Sequence, residues 1–108
     1  MKKENWIPVI ISNEYGKIHF SKKEGTSEYF ISSLFVLPIF RRKGHARKLM
    51  EYALTLIEKE NPKSIKIEAF SMELNITNKQ LVKFYQQFGF TVCEGNEETG
   101  YLLERLYS

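Results

Sequence analysis

The pattern of hydrophobic and polar positions along the chain changes period several times, and each change marks a different kind of element. β-branched and aromatic side chains are frequent in the segments WIPVIIS and KIHFSKK, and the turn-forming stretch NEYG separates them. This pattern predicts a β-hairpin, with Gly16 taking a positive φ in its turn. A longer β-rich run, EYFISSLFVLPIF, then predicts a central strand. Because Pro38 lacks a backbone donor, we expect regular strand pairing to end or splay there.

From Gly44 onward, the apolar residues recur at helical spacing. One face of this first predicted helix collects Ala46, Leu49, Met50, Ala53, Leu54 and Ile57. The Asn-Pro pair at 61–62 ends the helix. SIKIEAF then predicts a short strand, and TNKQLVKFYQQFG predicts a second helix with a capping box from Thr77 to Gln80 and a C-terminal glycine at Gly89. FTVCEG and YLLERLY predict two final strands.

The predicted element order is therefore β-β-β-α-β-α-β-β. The first three strands can pair as an antiparallel meander, whereas the β-α-β unit around Gly44 needs a right-handed crossover and hence a parallel pair. This order predicts an α+β fold with a mixed sheet and two helices. At 108 residues, we expect the whole chain, 1–108, to be a single domain.

Composition disfavours several classes of function but does not identify one. The net charge of +3 is weak for a protein that coats nucleic acid, but it suits an anionic ligand. The single cysteine, Cys93, excludes an intramolecular disulfide framework and a cysteine-based zinc cluster, and we predict no metal. The longest apolar run, LFVLPIF, is too short to cross a membrane. We therefore expect a cytoplasmic protein without a membrane anchor.

The segment RRKGHARKLM holds the most informative chemistry in the chain. It places a short basic loop and a glycine between a predicted strand and the start of a predicted helix. Unpaired N–H groups and the positive end of the helix dipole would meet there, and a glycine lets an anion approach the main chain. A pyrophosphate fits this arrangement best. An ordinary solvated basic turn is the alternative, and neither G-x-G-x-x-G nor G-K-[ST] is present.

Two segments of the sequence resemble one known family. Arg41-x-x-Gly44-x-Ala46, after LFVLP, resembles the acyl-CoA-binding motif of the GCN5-related N-acetyltransferases (GNAT). The later segment NKQLVKFYQQFGF is similar to a second family segment, whose places are held here by Asn78, Tyr85, Gly89 and Phe90. The three N-terminal strands also agree with the family's order. Family members usually begin with a further strand and two helices that shape the acceptor side, and this sequence starts at what would be their second strand.

The resemblance implies a GNAT-like, mainly antiparallel twisted sheet that binds acetyl-CoA. It implies that Val36 pairs through its main chain with the pantetheine arm and that Asn78 orients the cofactor. It also implies that backbone amides of one loop hold the pyrophosphate, at Arg41, Arg42, Lys43, Gly44, His45, Ala46 and Arg47. Tyr85 would protonate the departing thiolate. From the residues alone, Tyr85 is equally a packed core residue, and Asn78 merely the start of a helix.

The general base has no fixed motif position. Glu28, Glu68 and Glu73 are candidates, although each is also compatible with a solvated carboxylate, and water alone could remove the proton. We prefer Glu28, because it opens the strand that leads to Val36. Elsewhere, Cys93 is expected in a buried strand position and Trp6 in the core or at a subunit contact.

These observations together predict an N-acetyltransferase that moves the acetyl group of acetyl-CoA to a primary amine by direct attack. A non-catalytic acetyl-CoA-binding domain is the first alternative, motivated by the reduced N-terminal part. A basic nucleic-acid-binding module is the second, and the lack of aromatic residues within the basic run disfavours it. The acceptor and the oligomeric state stay open, a homodimer being one option.

Overall fold

Six strands and two helices follow one another in the predicted order. The computed structural model describes residues 5–37, 39, 41–71 and 76–107. The elements are β1 (Trp6–Ser12), β2 (Gly16–Lys23), β3 (Glu28–Val36), α1 (His45–Glu58), β4 (Ser64–Ala69), α2 (Asn78–Gln86), β5 (Thr91–Asn96) and β6 (Gly100–Leu106). The predicted α+β class is confirmed. Neither described helix is long and apolar enough to cross a membrane.

All six strands form one sheet in the order β1-β2-β3-β4-β6-β5. β3 and β4 are parallel, and the other neighbouring pairs are antiparallel. Residues that pair across strands share a face, so the pairs of Ile31 with Ile67 and of Ile67 with Leu103 define one buried face. The apolar faces of both helices belong to the same core cluster. The described residues thus form two layers, with helices on one face of the sheet.

The local helix signals in the sequence are confirmed. The predicted apolar face of α1 is buried at Leu49, Met50, Ala53, Leu54 and Ile57, and Ala46 packs against the core. α2 begins with the predicted reciprocal capping box between Thr77 and Gln80. Gly89 follows α2 with a φ of 89°. Such features depend on neighbouring residues only, which is why the sequence reveals them.

The prediction that Gly16 takes a positive φ in the turn is wrong, and glycine is needed there for another reason. Gly16 lies at the start of β2 and is not in the left-handed region. A Cβ added there would overlap the carbonyl oxygen of Phe35 in the neighbouring strand. Asn13 forms the turn, because its side-chain oxygen accepts hydrogen bonds from the N–H groups of Tyr15 (2.8 Å) and Gly16 (3.1 Å). Glycine is therefore needed for a close approach between strands.

The parallel strands β3 and β4 separate along their length. They pair only between Glu28–Ile31 and Ser64–Ile67. Across β2 and β3, Phe20 pairs with Ile31 and His19 with Ser33, so Ser32 is an extra residue that forms a β-bulge. A bulge bends its strand, and here the second half of β3 leaves β4. The splay begins before Pro38, which lies outside the described residues.

The prediction that Cys93 is buried is wrong, and Trp6, predicted in the core or at a subunit contact, does not lie in the core. Cys93 lies exposed on β5, at a register irregularity between β5 and β6. Trp6 is exposed on β1, an edge strand of the sheet. Hydrophobic character alone predicts a strand for both segments, but the position of each strand at a sheet edge leaves its side chains in contact with solvent.

Candidate functional site

A groove of about 970 Å³ lies where β3 and β4 have separated, a volume at the upper end for small-molecule sites. The second half of β3, the loop before α1, the end of β4 and one face of α2 form its walls. The lining residues are Ser32–Val36, Arg41, Arg42, Gly44–Arg47, Glu68, Phe70, Ser71, Ile76, Gln80, Leu81, Phe84 and Tyr85. The structure therefore brings most of the predicted loop residues and Tyr85 into one cavity.

The N-terminus of α1 opens into this groove. Gly44 is the N-cap residue, with a φ of 82°, and no side chain caps the helix. The N–H of Lys48 donates to the carbonyl of Gly44 (3.1 Å), so the N–H groups of Ala46 and Arg47 lie before the first helical hydrogen bond. The first turn holds no acidic residue to offset the positive end of the dipole. These features suit an anion bound from outside the chain.

The loop before α1 is also conformationally unusual. Arg42 has a φ of 62°, in the left-handed region that non-glycine residues seldom adopt. With Gly44 it gives the loop two left-handed residues within one turn. Glycine adopts this conformation freely, whereas for Arg42 it costs roughly 1–3 kcal/mol, and such strained residues are concentrated at binding sites. The two left-handed residues also direct successive backbone N–H groups toward one concave surface, which is a common way to bind anions.

The gap between β3 and β4 exposes main-chain groups of β3. The N–H of Leu37 donates to the carbonyl of Tyr15 (2.8 Å), on the side of β2. Because backbone polar groups alternate sides along a strand, those of Leu34 and Val36 face the gap. The Nε of Arg41 donates to the carbonyl of Val36 (2.9 Å) from within that gap. Arg41 thus contacts the main chain of β3 with its side chain.

Other basic side chains of the loop also contact the protein itself. The guanidinium of Arg47 donates a hydrogen bond to Gln87 and lies 5.2 Å from the ring centroid of Phe88. The ring of His45 stacks on Tyr15, with centroids 3.8 Å apart. These contacts fix the loop against α2 and the β1–β2 turn. The backbone of the loop, more than its charges, is therefore presented to the groove.

Tyr85 lies both at the groove and in the core, so its position is compatible with each of the two roles that the sequence left open. It lines the groove, yet it is only 5% exposed and belongs to the core cluster. Burial raises the pKa of its phenol to about 12. The side chain therefore carries its proton throughout the physiological pH range, as a general acid must.

Asn78 is buried, and its side chain is engaged within the protein. Its Oδ1 accepts from the N–H of Ser71 (2.7 Å), and its Nδ2 donates to the carbonyl of Glu97 (2.8 Å). It does not line the groove. These contacts tie the chain after β4 to α2 and to the β5–β6 turn, so the geometry favours the structural role for Asn78 over direct contact with a cofactor.

The structure does not bring Glu28 to the groove. Glu28 and Val36 occupy opposite ends of β3, about 26 Å apart along an extended strand. Glu28 lies 3.7 Å from Lys23 as an ion pair and borders a different cavity. The preference for Glu28 rested on its strand, but strand direction carries it away from the site. Glu73 lies outside the described residues.

Glu68 is the candidate carboxylate that the groove contains. It lies near the end of β4, exposed, and alternates with the buried residues Ile67 and Ala69. That alternation was visible in the sequence, as a lone acid opposite an apolar face at the end of a strand. The exposed aromatic residues Phe35 and Phe70 also line the groove, and no motif pointed to them.

Residues 13–102 match a family model described as an acetyltransferase (GNAT) domain. The chain belongs to this family. The match includes the whole groove, and the sheet order and the splay between β3 and β4 are the framework of this GNAT domain. No curated protein matches the chain.

Solved structures resemble the chain in fold across most of its length. An anti-CRISPR protein, AcrVA5, is 20% identical, covering 94% of this chain and 99% of its own, with a TM-score of 0.74. The PaiA N-acetyltransferase of Thermoplasma acidophilum, solved in complex with coenzyme A, is 19% identical, with a TM-score of 0.66. That match covers 86% of this chain, which spans about half (54%) of PaiA.

A third similar structure is the ribosomal-protein-S18-alanine N-acetyltransferase of Escherichia coli. It is 13% identical, covering 99% of this chain and 72% of its own, with a TM-score of 0.71. At these identities, the likeness of the three structures concerns the fold alone.

Proposed function

We propose that this chain is an N-acetyltransferase that uses acetyl-CoA and a primary amine, and that 1–108 forms one acyl-CoA-binding domain. One observation carries the proposal: the uncapped N-terminus of α1 and the splayed edge of β3 open into the same groove as Tyr85. An anion site, a free strand edge and a protonated phenol in one cavity match the successive parts of an acyl-CoA thioester.

In this proposal, the pyrophosphate binds to the backbone of the loop from Arg41 to Arg47. The exposed side chains of Arg42 and Lys43 add positive charge beside it. The pantetheine arm lies in the gap and pairs with the main chain of Val36 as an added strand would. Since Arg41 already contacts the Val36 carbonyl, the arm either accepts from the Val36 N–H or displaces that contact. The coenzyme A complex of PaiA supports this class of ligand.

The reaction follows from where the acetyl group would lie. The amine nitrogen attacks the thioester carbonyl, backbone donors stabilise the oxyanion, and the C–S bond breaks. The thiolate of CoA takes the phenolic proton of Tyr85, and the proton that the attacking nitrogen still carries is lost through water and restores the phenol. The ammonium proton of the acceptor leaves to Glu68 or to water before attack. We propose Glu68 in place of Glu28, because only Glu68 of the two lies in the groove.

We propose a primary amine as the acceptor. The acceptors tested in an activity assay should include small polyamines, a lysine peptide and a peptide with a free N-terminus. The E. coli neighbour is named for acting on a protein's alanine, and PaiA is named an N-acetyltransferase. These names support nitrogen as the acceptor atom. They do not select one amine over another.

The test is a cofactor-binding measurement run beside an assay for free CoA thiol. Acetyl-CoA should raise the melting temperature, whereas acetyl-pantetheine, which lacks the pyrophosphate, should raise it much less. At least one of the tested amines should then release CoA. Binding without release by any amine would favour the non-catalytic domain. No thermal shift at millimolar acetyl-CoA would refute both functions.

A further inference from the structure

The exposed edge of the sheet at β1 is not used by the proposed reaction. Within the part of the chain that the structure describes, β1 pairs with β2 on one side and with no strand on the other, which leaves a free edge of the sheet. Its side chains are exposed on both faces, with Ile7 50% and Ile10 61% exposed. α1 packs on β2 and β3, and Ile11 is the one residue of β1 that is half-buried against the core. A seven-residue apolar edge strand that contains no charged residue is unusual, because edges normally carry charges that prevent association.

The hydrogen bonds of β1 show which of its backbone groups face outward. The carbonyl of Asn5 accepts from the Glu24 N–H (2.8 Å), and the N–H of Asn13 donates to the Gly16 carbonyl (3.0 Å). The paired register has no irregularity between them. Odd-numbered residues therefore point their backbone groups at β2, and those of Trp6, Pro8, Ile10 and Ser12 point to the free edge.

We propose that β1 pairs with β1 of a second copy of this chain, antiparallel about a two-fold axis at Val9. In this register, Trp6 lies opposite the partner's Ser12 and Pro8 opposite the partner's Ile10. Only the hydrogen bonds that would need an N–H on Pro8 are missing. The two sheets then form one continuous sheet, and the pairing closes as a dimer because each copy contributes its single β1 edge.

The side chains of β1 are complementary to themselves in this arrangement. On the face that carries the helices, Val9 meets the partner's Val9, and Ile7 meets the partner's Ile11. Such β-branched pairs across antiparallel strands are stabilising. An uncharged strand of mostly aliphatic residues offers no ion pair to nucleic acid or to a charged peptide, whereas an identical strand matches it in charge and length.

The other edge of the sheet shows what a protected edge looks like in this protein. β5 carries Glu94, has a register irregularity between Val92 and Glu94, and contains Gly95. Charge and a bulge are devices that prevent edge-to-edge pairing. β1 has neither charge nor bulge, and its one edge-protecting residue, Pro8, removes a single donor from each copy. The interface is short, so we expect a reversible dimer at the small end of specific interfaces, roughly 1,200 Å².

The first test changes one valine on each edge. Sedimentation velocity from micromolar to submillimolar protein should show a concentration-dependent dimer. Val9→Lys places two lysines against each other at the axis and should give a monomer, with at least a tenfold weaker association. Val92→Lys, at the other edge and similarly exposed (43% against 37%), should leave the dimer intact. A monomeric parent protein, or equal behaviour of the two variants, would overturn the proposal.

A cysteine test fixes the register even if Val9→Lys folds poorly. In a Cys93→Ser background, Val9→Cys should form an intermolecular disulfide under mild oxidation, because the narrow antiparallel pair brings Cβ atoms within about 5.5 Å. Ile7→Cys should not, since the two Ile7 positions lie about 13 Å apart along the paired strands. Cross-linking at Ile7 but not at Val9 would overturn the two-fold at Val9. Neither test involves acetyl-CoA, so failure of the dimer leaves the proposed function untouched.

Discussion

The two helices of this protein begin in opposite ways. At the start of α2, side chains of the protein accept hydrogen bonds from the free N–H groups of the first turn. Thr77 Oγ1 accepts from the Gln80 N–H (3.1 Å). The Glu97 carboxylate accepts from the N–H groups of Asn78 (3.0 Å) and Lys79 (3.1 Å). A protein carboxylate thus occupies the place where a helix attracts an anion.

The first turn of α1 has the same electrostatic requirement, but no side chain of the described residues caps it. Its N-cap is Gly44, it has no side-chain cap, and basic residues precede it. Those residues are unfavourable at that end unless an anion joins them. Internal contacts thus anchor α2, which carries Tyr85, whereas the N-terminus of α1 opens into the groove where we propose that the pyrophosphate binds. Variants on the two helices should therefore separate catalysis, ligand binding and stability.

The largest expected effect is on turnover, at α2. Tyr85→Phe keeps the packing and removes the proton, so kcat should fall by roughly 10²–10⁴-fold while the Kd for acetyl-CoA stays nearly constant. Steady-state kinetics and calorimetry on the same samples provide the measurement. Tyr101→Phe, a half-buried tyrosine outside the groove, is the control and should be active. Full activity of Tyr85→Phe would remove the phenol from the mechanism.

The next effect is on binding, at the N-terminus of α1. Gly44→Glu should raise the Kd for acetyl-CoA by at least about 100-fold, because it places a carboxylate where the pyrophosphate is proposed. Gly44→Gln is the uncharged match and should cost less, since both carry the same left-handed strain and a Cβ has open space there.

Gly25→Glu supplies a second control for that variant. Gly25 has a φ of 76°, an added Cβ also meets open space, and the residue borders the other cavity. It should lose stability without losing affinity for acetyl-CoA. Equal affinities of Gly44→Glu and Gly25→Glu would mean that no anion binds at α1.

The smallest effect is on stability, at the anchored end of α2. Glu97→Gln keeps acceptor geometry on one oxygen but removes the charge beside the helix dipole, so the free energy of unfolding should fall by roughly 0.5–1 kcal/mol. Urea denaturation at low salt measures it, and high salt should shrink the difference. Glu98→Gln, the next residue, is the matched control. A larger loss for Glu98→Gln would contradict the role assigned to the Glu97 carboxylate.

The sequence predicted the element order and the loop at Gly44 because both depend on residues that are close together in the chain. Helical periodicity, the capping box at Thr77 and the glycine after α2 involve residues within a few positions of one another. The family resemblance also rested on two short, contiguous segments, and the family is confirmed. The catalytic and cofactor-binding roles of individual residues stay predictions.

The errors share a cause in strand direction and register. Glu28 was favoured because it shares a strand with Val36, yet a strand carries its two ends far apart. Ser32 gave no sign of a bulge, and the splay that the bulge starts is what opens the groove. The contact of Asn78 with Glu97 could not be predicted either, because the two residues lie 19 positions apart; the cofactor-binding role of Asn78 stays a prediction.

By itself, the sequence determined the elements, the apolar faces that build the core and the glycine loop that begins α1. Tertiary structure alone decided which carboxylate lines the groove and which helix N-terminus is capped by side chains of the protein. It also decided which strand lies uncharged at the edge of the sheet. The physical reason is that a local pattern sets the conformation of its own segment, whereas a site and an edge exist only after distant strands have paired.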